Sequence, residues 1–302
     1  MNPNLTIIVP CYNVAEYLRE CLDSIRRQSY INFYVLLMDD GSTDETAAIC
    51  ADYVEMDDRF SVIHQQNNGS AEIRNIALTK VTTEYVTFVD SDDYIHPDMY
   101  RVMMGNLSSR ENADIIACGV SDLIKGEIKH RKTSVFTTEY EIVSRKDSVI
   151  RILDDEEWKS YTCNKIFRKN LFHEIKFPKG RSLEEDTSVM HLVYHKANET
   201  LYNPSEFYVY RHRLGSICLK FDSKNMAKKA MDRMAARWER LQFTEVHPEY
   251  HAMLNKMRNV YVATALAGCR IAAKYPQLFP DHYLEQHRKN ILNFTLTYLP
   301  TY

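Results

Sequence analysis

An apolar run that ends in a burst of like charge constrains this chain more than any other feature. Thr87-Phe88-Val89 leads directly into Asp90-Ser91-Asp92-Asp93, three carboxylates in four positions. At ~5 Å and an effective dielectric of ~20, two such charges repel by roughly 3 kcal/mol. A buried strand can end that way when something positive sits beyond it. A hard divalent cation, Mg²⁺ or Mn²⁺, carrying a diphosphate suits the spacing of Asp90 and Asp92. Such an ion takes one or two carboxylates and completes its shell with phosphate and water oxygens. The alternative reading is a polar turn that caps the next helix through Asp93 or Asp98.

The first 118 residues set this run in a repeating frame. Short apolar segments over 5–9, 33–38, 60–64, 85–89 and 113–118 alternate with helical patterns over 14–28, 43–56, 70–79 and 97–108. That alternation predicts an α/β fold: a mostly parallel central sheet with right-handed crossovers and helices on both faces. Ligands of such sheets sit beyond the carboxyl ends of the strands. Both acid clusters, Asp39-Asp40 and Asp90 to Asp93, fall at such ends. Further on come short strand-like pieces over 120–136, a helix over 144–153 and an irregular aromatic and basic stretch over 158–180. A helix over 185–196 and a strand over 206–210 follow, and from 223 the pattern is all-helical. The expected division is therefore 1–222 and a C-terminal helical domain, 223–302.

With 302 residues, 45% of them hydrophobic, the chain can bury a full core. A net charge of -3 gives no pull toward nucleic acid. Seven cysteines without a Cys-x-x-Cys pair argue against a disulfide framework and structural zinc. No basic, then apolar, leader and no apolar stretch of membrane-spanning length is present. The expected location is cytoplasmic.

Further clusters carry both a chemical and a plain structural reading. Asp39, after the second strand, can accept from the N3–H of a uracil ring, or can cap a helix beside Gly41. Pro10-Cys11-Tyr12-Asn13 can lay an aromatic ring against a nucleoside, or simply end the first strand. Arg74, one turn into a helix, can serve a diphosphate or a base, or face solvent. Glu184-Glu185-Asp186 can favour a helix dipole, or supply the base that deprotonates an attacking hydroxyl. Arg211-His212-Arg213 suits a diphosphate leaving group or a third metal ligand, or is an ordinary basic loop. The helix from Met226 through Trp238 has an apolar stripe and a mostly basic opposite face. It can lie on anionic lipid; the simpler reading packs the stripe on the preceding domain and leaves the charges solvated.

Taken together, Ile7 to Asn13, Cys21 to Ile25, Asp39 to Asp44, Arg74-Asn75, Phe88 to Asp93, Asn164 to Arg168, Glu185-Asp186 and Tyr208 to Arg211 resemble glycosyltransferase family 2. These are inverting enzymes of the GT-A fold, and the bacterial branch that builds surface polysaccharides and protein-linked glycans is the nearest in pattern. The resemblance spans roughly residues 5–218. It implies a nucleotide-binding half, 1–118, and an acceptor-binding half, 119–222. Asp39 would receive the uracil edge, with Asp40 beside it and Pro10, Tyr12 and Asn13 around the nucleoside. Arg74 would help hold the nucleotide. Asp90 and Ser91 would meet the donor, and Asp92, with Asp90 and His212, would bind Mn²⁺ or Mg²⁺. Asp186 would be the catalytic base, assisted by Glu185, while Arg211 and Arg213 close over the diphosphate. The partners so implied are a UDP-sugar and a growing glycan on lipid or protein; the amphipathic tail helix separately allows a peripheral membrane contact, and oligomeric state stays open. A sugar-nucleotidyltransferase would share the sheet, but needs a Gly-rich basic loop where Pro10 to Asn13 stands. A non-catalytic partner subunit would share the fold without the intact acids.

Overall fold

The structure is a computed structural model that describes residues 4–131, 136–181, 183–213 and 222–298. Its centre is a ten-stranded sheet. Strands β1 (Leu5–Cys11), β2 (Phe33–Asp39), β3 (Phe60–His64) and β4 (Tyr85–Phe88) run parallel, in the order β3-β2-β1-β4. Period-two alternation explains why these segments read as continuous apolar runs. On β1, Leu5, Ile7 and Val9 enter one core and Ile8 the other.

Helices α1 (Ala15–Arg26), α2 (Thr46–Met56) and α4 (Met99–Ser108) cover the first face. Leu18, Cys21, Leu22 and Ile25 form the buried stripe of α1. Helix α3 (Ser70–Lys80) covers the other face with α5 (Arg145–Asp154) and α6 (Thr187–Lys196). The expected fold class therefore holds.

The strands beyond β4 depart from the sequence reading. Short β5 (Tyr94–Ile95) pairs antiparallel with β10 (Glu199–His212). Strand β6 (Ala113–Ile124) runs parallel to β10, and β7 (Glu127–His130) and β8 (Glu141–Ser144) flank them. Strand β9 (Lys165–Arg168) wedges antiparallel between β4 and β6, inside the stretch expected to be irregular. Lys and Arg at its ends hide a four-residue central strand. The strand expected over 206–210 is 14 residues long. Pro204 lies inside it, where β10 bulges away from β6. Gly119 lies opposite, and a Cβ there would stand 2.7 Å from the Pro204 carbonyl oxygen.

The tail forms α7 (Ser223–Val246), α8 (Leu254–Lys274) and α9 (Tyr283–Tyr298). Asp222 caps α7 by accepting from the Asn225 N–H at 3.0 Å. Met234, Leu241 and Phe243 of α7, and Met257 and Tyr261 of α8, enter the same core as α3, α5 and α6. The apolar stripe thus packs on the preceding layer. The basic face departs from expectation: Arg240 is 1% exposed and Arg237 is largely covered, because both reach polar groups of the preceding layer. No described helix is long and apolar enough to cross a membrane.

Candidate active site

The carboxyl ends of β1, β2 and β4 open onto one rim, joined there by the end of β10 and the loop before α6. Arg74 on α3 ties this rim together. Its Nη1 donates to Glu185 Oε1 at 2.7 Å and its Nη2 to Asp90 Oδ1 at 3.3 Å. The Arg74 Nε is buried without a hydrogen-bond partner among the described residues. One guanidinium therefore joins the acids after β4 to the acids before α6, segments 95 positions apart.

Asp186 follows Glu185 and caps α6, its Oδ1 accepting from the Thr187 N–H at 2.7 Å. Burial, and then the neighbouring Glu185 charge, push its carboxyl up to about 7, against the pull of Arg74. A carboxylate so poised can take a proton near neutral pH.

In the acid run after β4 each residue has a different environment. Asp90 is raised from the ordinary carboxylate range by burial, opposed by Arg74. Asp92 Oδ2 receives Arg213 Nε at 2.5 Å. Asp93 is 1% exposed; its Oδ2 accepts from the Tyr208 hydroxyl and its Oδ1 from the Arg211 N–H, each at 2.7 Å. Burial, with Asp90 and Asp92 adding like charge, pushes Asp93 well upward. Ser91, between them, is buried. Arg211 adds a bond from Nε to the Asp92 carbonyl at 2.8 Å and a pair with Glu20 at 2.6 Å. Both Arg211 and Arg213 stack over the Tyr17 ring.

His212 does not join Arg211 and Arg213. Alternation along β10 turns its ring to the opposite face, where Nε2 lies 2.7 Å from Asp122 Oδ1 and the Tyr210 ring packs at 5.0 Å. A third metal ligand at His212 is therefore not what this backbone presents.

On the β1–β2 side the expected residues sort into scaffold and open groups. Asp39 ends β2 at 3% exposure, with Ser42 N donating to Oδ1 at 3.1 Å and His64 Nδ1 at 2.8 Å from Oδ2. Burial works its pKa upward, but those bonds hold it below the usual range. Asp40 accepts from Gln65 Nε2, Asn68 N and Gly69 N, all at 2.9 Å, and so braces the loop that enters α3. Asn13 adopts φ 48° and accepts from Thr43 N at 2.8 Å, locking one loop to the next. Pro10, next to last in β1, is partly exposed, and Tyr12 is 49% exposed on the rim.

For a cation, the acids after β4 are a fitting but incomplete set. Asp90 and Asp92 offer hard oxygens, and each keeps one oxygen without a bond among the described residues. No group of three or more His, Cys, Asp or Glu side chains is arranged to hold a metal among the described residues. Two carboxylates plus ligand phosphates are the usual complement for Mg²⁺.

A small hollow, of about 60 Å³, is lined by Trp158, Tyr161, Tyr202, Arg131, Lys159 and Glu206 among others. The Asp186 charge acts on Tyr161 and the buried Lys165, both in that lining. Lys165 is pulled down to about 8 by burial and donates to the Lys159 and Tyr161 carbonyls and to Asn164 Oδ1. The sequence reading assigns Tyr17, Glu20, Asp93, Lys165 and Tyr208 no part in the site, although Asp93, Lys165 and Tyr208 fall inside the runs that carry the family resemblance.

The model of glycosyl transferase family 2 matches residues 6–176. Glycosyltransferase GlyA of Streptococcus pneumoniae is 33% identical over 274 residues, covering 89% of this chain and 39% of that protein. Putative glycosyltransferase EpsH of Bacillus subtilis is 29% identical over 226 residues, 74% of this chain and 64% of EpsH. The chain thus spans less than two thirds of either relative. Among solved structures, S. aureus TarS residues 1–349 in complex with UDP-GlcNAc aligns with TM-score 0.64 at 22% identity, over 97% of this chain and 89% of that one. Mannosyltransferase PcManGT of Pyrobaculum calidifontis, in complex with GDP-Man and Mn²⁺, aligns with TM-score 0.55 at 16% identity, over 99% and 82%. With more than half of its length matched by the family model, this chain belongs to glycosyltransferase family 2, a family of sugar-transferring enzymes.

Proposed function

We propose that the chain moves a hexose or N-acetylhexosamine from a UDP-sugar to a hydroxyl of a lipid- or protein-linked glycan, with inversion at the anomeric carbon. The observation that carries this reading is the Arg74 bridge, which sets Asp186, with a pKa of about 7, beside the acids after β4. The acceptor hydroxyl attacks the anomeric carbon and its proton passes to the Asp186 carboxylate. The bond from that carbon to the diphosphate oxygen breaks, and UDP leaves. Arg74, Arg211 and Arg213 supply fixed positive charge near the departing diphosphate, where negative charge develops. Glu185, held by Arg74, keeps Asp186 in place and raises its basicity.

Asp90 and Asp92 would hold Mn²⁺ or Mg²⁺, and when bound the ion supplies further charge stabilisation to the diphosphate. Asp39 would face the uracil ring, with Tyr12 stacked near it, and UDP is favoured as the nucleotide because TarS, a neighbour in fold, was solved with UDP-GlcNAc. The acceptor would approach along the rings of Trp158, Tyr161 and Tyr202 around the small hollow, which suit a sugar face. The reading keeps 1–118 as the nucleotide half, 119–222 as the acceptor half and 223–302 as the helical addition, at work on the cytoplasmic side of a membrane. A donor panel scored by UDP release, with Mn²⁺, Mg²⁺ or chelator, tests nucleotide, sugar and metal together. Release that is independent of the sugar nucleotide supplied, or equal in Asp186→Asn, would refute it.

A further inference from the structure

Tail helix α7 crosses beneath the loop that carries Glu185 and Asp186. It presents Arg233, Arg237 and Arg240, spaced four and then three positions apart, as one stripe. Arg233 Nε reaches Glu184 Oε1 at 3.1 Å, and Arg237 Nη2 lies 3.3 Å from Glu184 Oε2 and 4.0 Å from Asp155 Oδ2. Glu184 holds a left-handed backbone, φ 61°, without being glycine. That conformation costs on the order of 1 kcal/mol or more and persists where surroundings over-determine it. Here the surroundings are two arginines of α7.

Arg240 reaches the same loop from below. Its Nε donates to the Thr187 carbonyl at 3.0 Å, its Nη1 to the Ile152 carbonyl at 3.1 Å, and its Nη2 to Ser160 Oγ. Thr187 is the residue whose N–H Asp186 caps. Every direct acceptor of this buried cation is neutral. Its counter-charges are Asp155, Asp186 and Glu184, close enough to act on it. Docking a helix does not require a buried guanidinium, which loses several kcal/mol of hydration. Met234 and Leu241 already supply apolar contact.

We propose that α7 is a working part of the transfer site, in which Arg237 and Arg240 are positioning residues that fix the loop 184–187 and so the direction of the Asp186 carboxylate. This rests on Asp186 being the base. The charged and titratable groups around Asp186 are Glu184 and Glu185 on its own loop, Arg74 on α3, Lys165 on β9, Tyr161 before it, and Arg240 on α7.

The test compares Arg237→Gln, Glu184→Gln, their double variant and Arg240→Lys in the full chain, with kcat, donor KM, pH profile and melting temperature recorded for each. Arg237→Gln should lower kcat about tenfold, since small misplacement of a reacting group is costly, and leave donor KM within about twofold. It should also move the acidic limb of the pH profile upward, because Glu184, left with Arg233 alone, is less neutralised beside Asp186. Adding Glu184→Gln should return that limb toward wild type. A lowered melting temperature with unchanged kcat and an unmoved limb in Arg237→Gln would overturn the proposal, as would a change confined to donor KM. Should Arg240→Lys fail to fold, the 184/237 cycle decides alone. Full activity in Asp186→Asn would remove the base assignment and this inference with it; an inactive Asp186→Asn beside a wild-type Arg237→Gln would remove this inference only.

Discussion

Arg213 Nε stands 2.5 Å from Asp92 Oδ2, so an arginine rests on the carboxylate that family resemblance assigns to a cation. Both side chains are about a quarter exposed, and a pair of this kind is worth roughly 0.5–1 kcal/mol. Arg213→Gln should therefore tighten Mn²⁺ binding without donor by about 2- to 5-fold, read by calorimetry, while donor KM rises. Unaltered Mn²⁺ affinity would mean that Arg213 and the ion do not compete.

Arg74 leaves two acids stranded if it is lost. Arg74→Met removes the partner of Glu185 at 2.7 Å, a covered pair, and of Asp90 at 3.3 Å, whose side chain is 36% exposed. Breaking a buried pair on one side costs about 3–5 kcal/mol. Denaturant unfolding should show a loss in that range, and Arg74→Lys a smaller one.

Asp186 should govern the pH dependence. The base acts when ionised, so kcat/KM is expected to rise through about pH 7, and Asp186→Asn should lower kcat by about 10²–10⁴-fold. Stability runs the other way. The folded carboxyl sits above its unfolded value, so the folded state binds the proton more tightly. Wild-type stability from this group is intact below pH 3.8 and declines as pH rises to about 7. The melting-temperature advantage of Asp186→Asn should grow across that window and level off above it.

Tyr208 carries the turn after β4. Its hydroxyl accepts from the Asp90 N–H at 3.1 Å and donates to Asp93 at 2.7 Å, and the residue is fully buried. Tyr208→Phe should cost about 1–3 kcal/mol by leaving both groups unpaired. Mn²⁺ binding should weaken as Asp90 loosens, measured in the same calorimetric series.

The donor-side frame was legible because each strand from β1 to β4 announces itself as an apolar run that ends at a polar cluster. Expecting Asp39 and Asp90 on one rim needs only the rule that such clusters collect at strand ends; Asp186, which opens a helix, is expected there through the family resemblance alone. His212 misled, since three adjacent basic residues say nothing about which of them share a strand face. Strand β9 was hidden by Lys165, a cation buried in a central strand and satisfied by three local oxygens. The charges of α7 read as solvated because the acids they meet, Glu184 and Asp155, lie at least 49 positions away.

Strand β10 runs from the hollow near Tyr202 to the arginines over Asp92, and at ~3.3 Å per residue its 14 residues span ~46 Å. Chain length between its bulge and Arg211 is consequently a two-valued setting. Inserting or deleting a single residue there would swing Arg211 and Arg213 to the far face and deliver His212 to the acids. Variation in what fills the hollow is thus confined to side chains and flanking loops, while the count along this rod is held fixed by the opposite end.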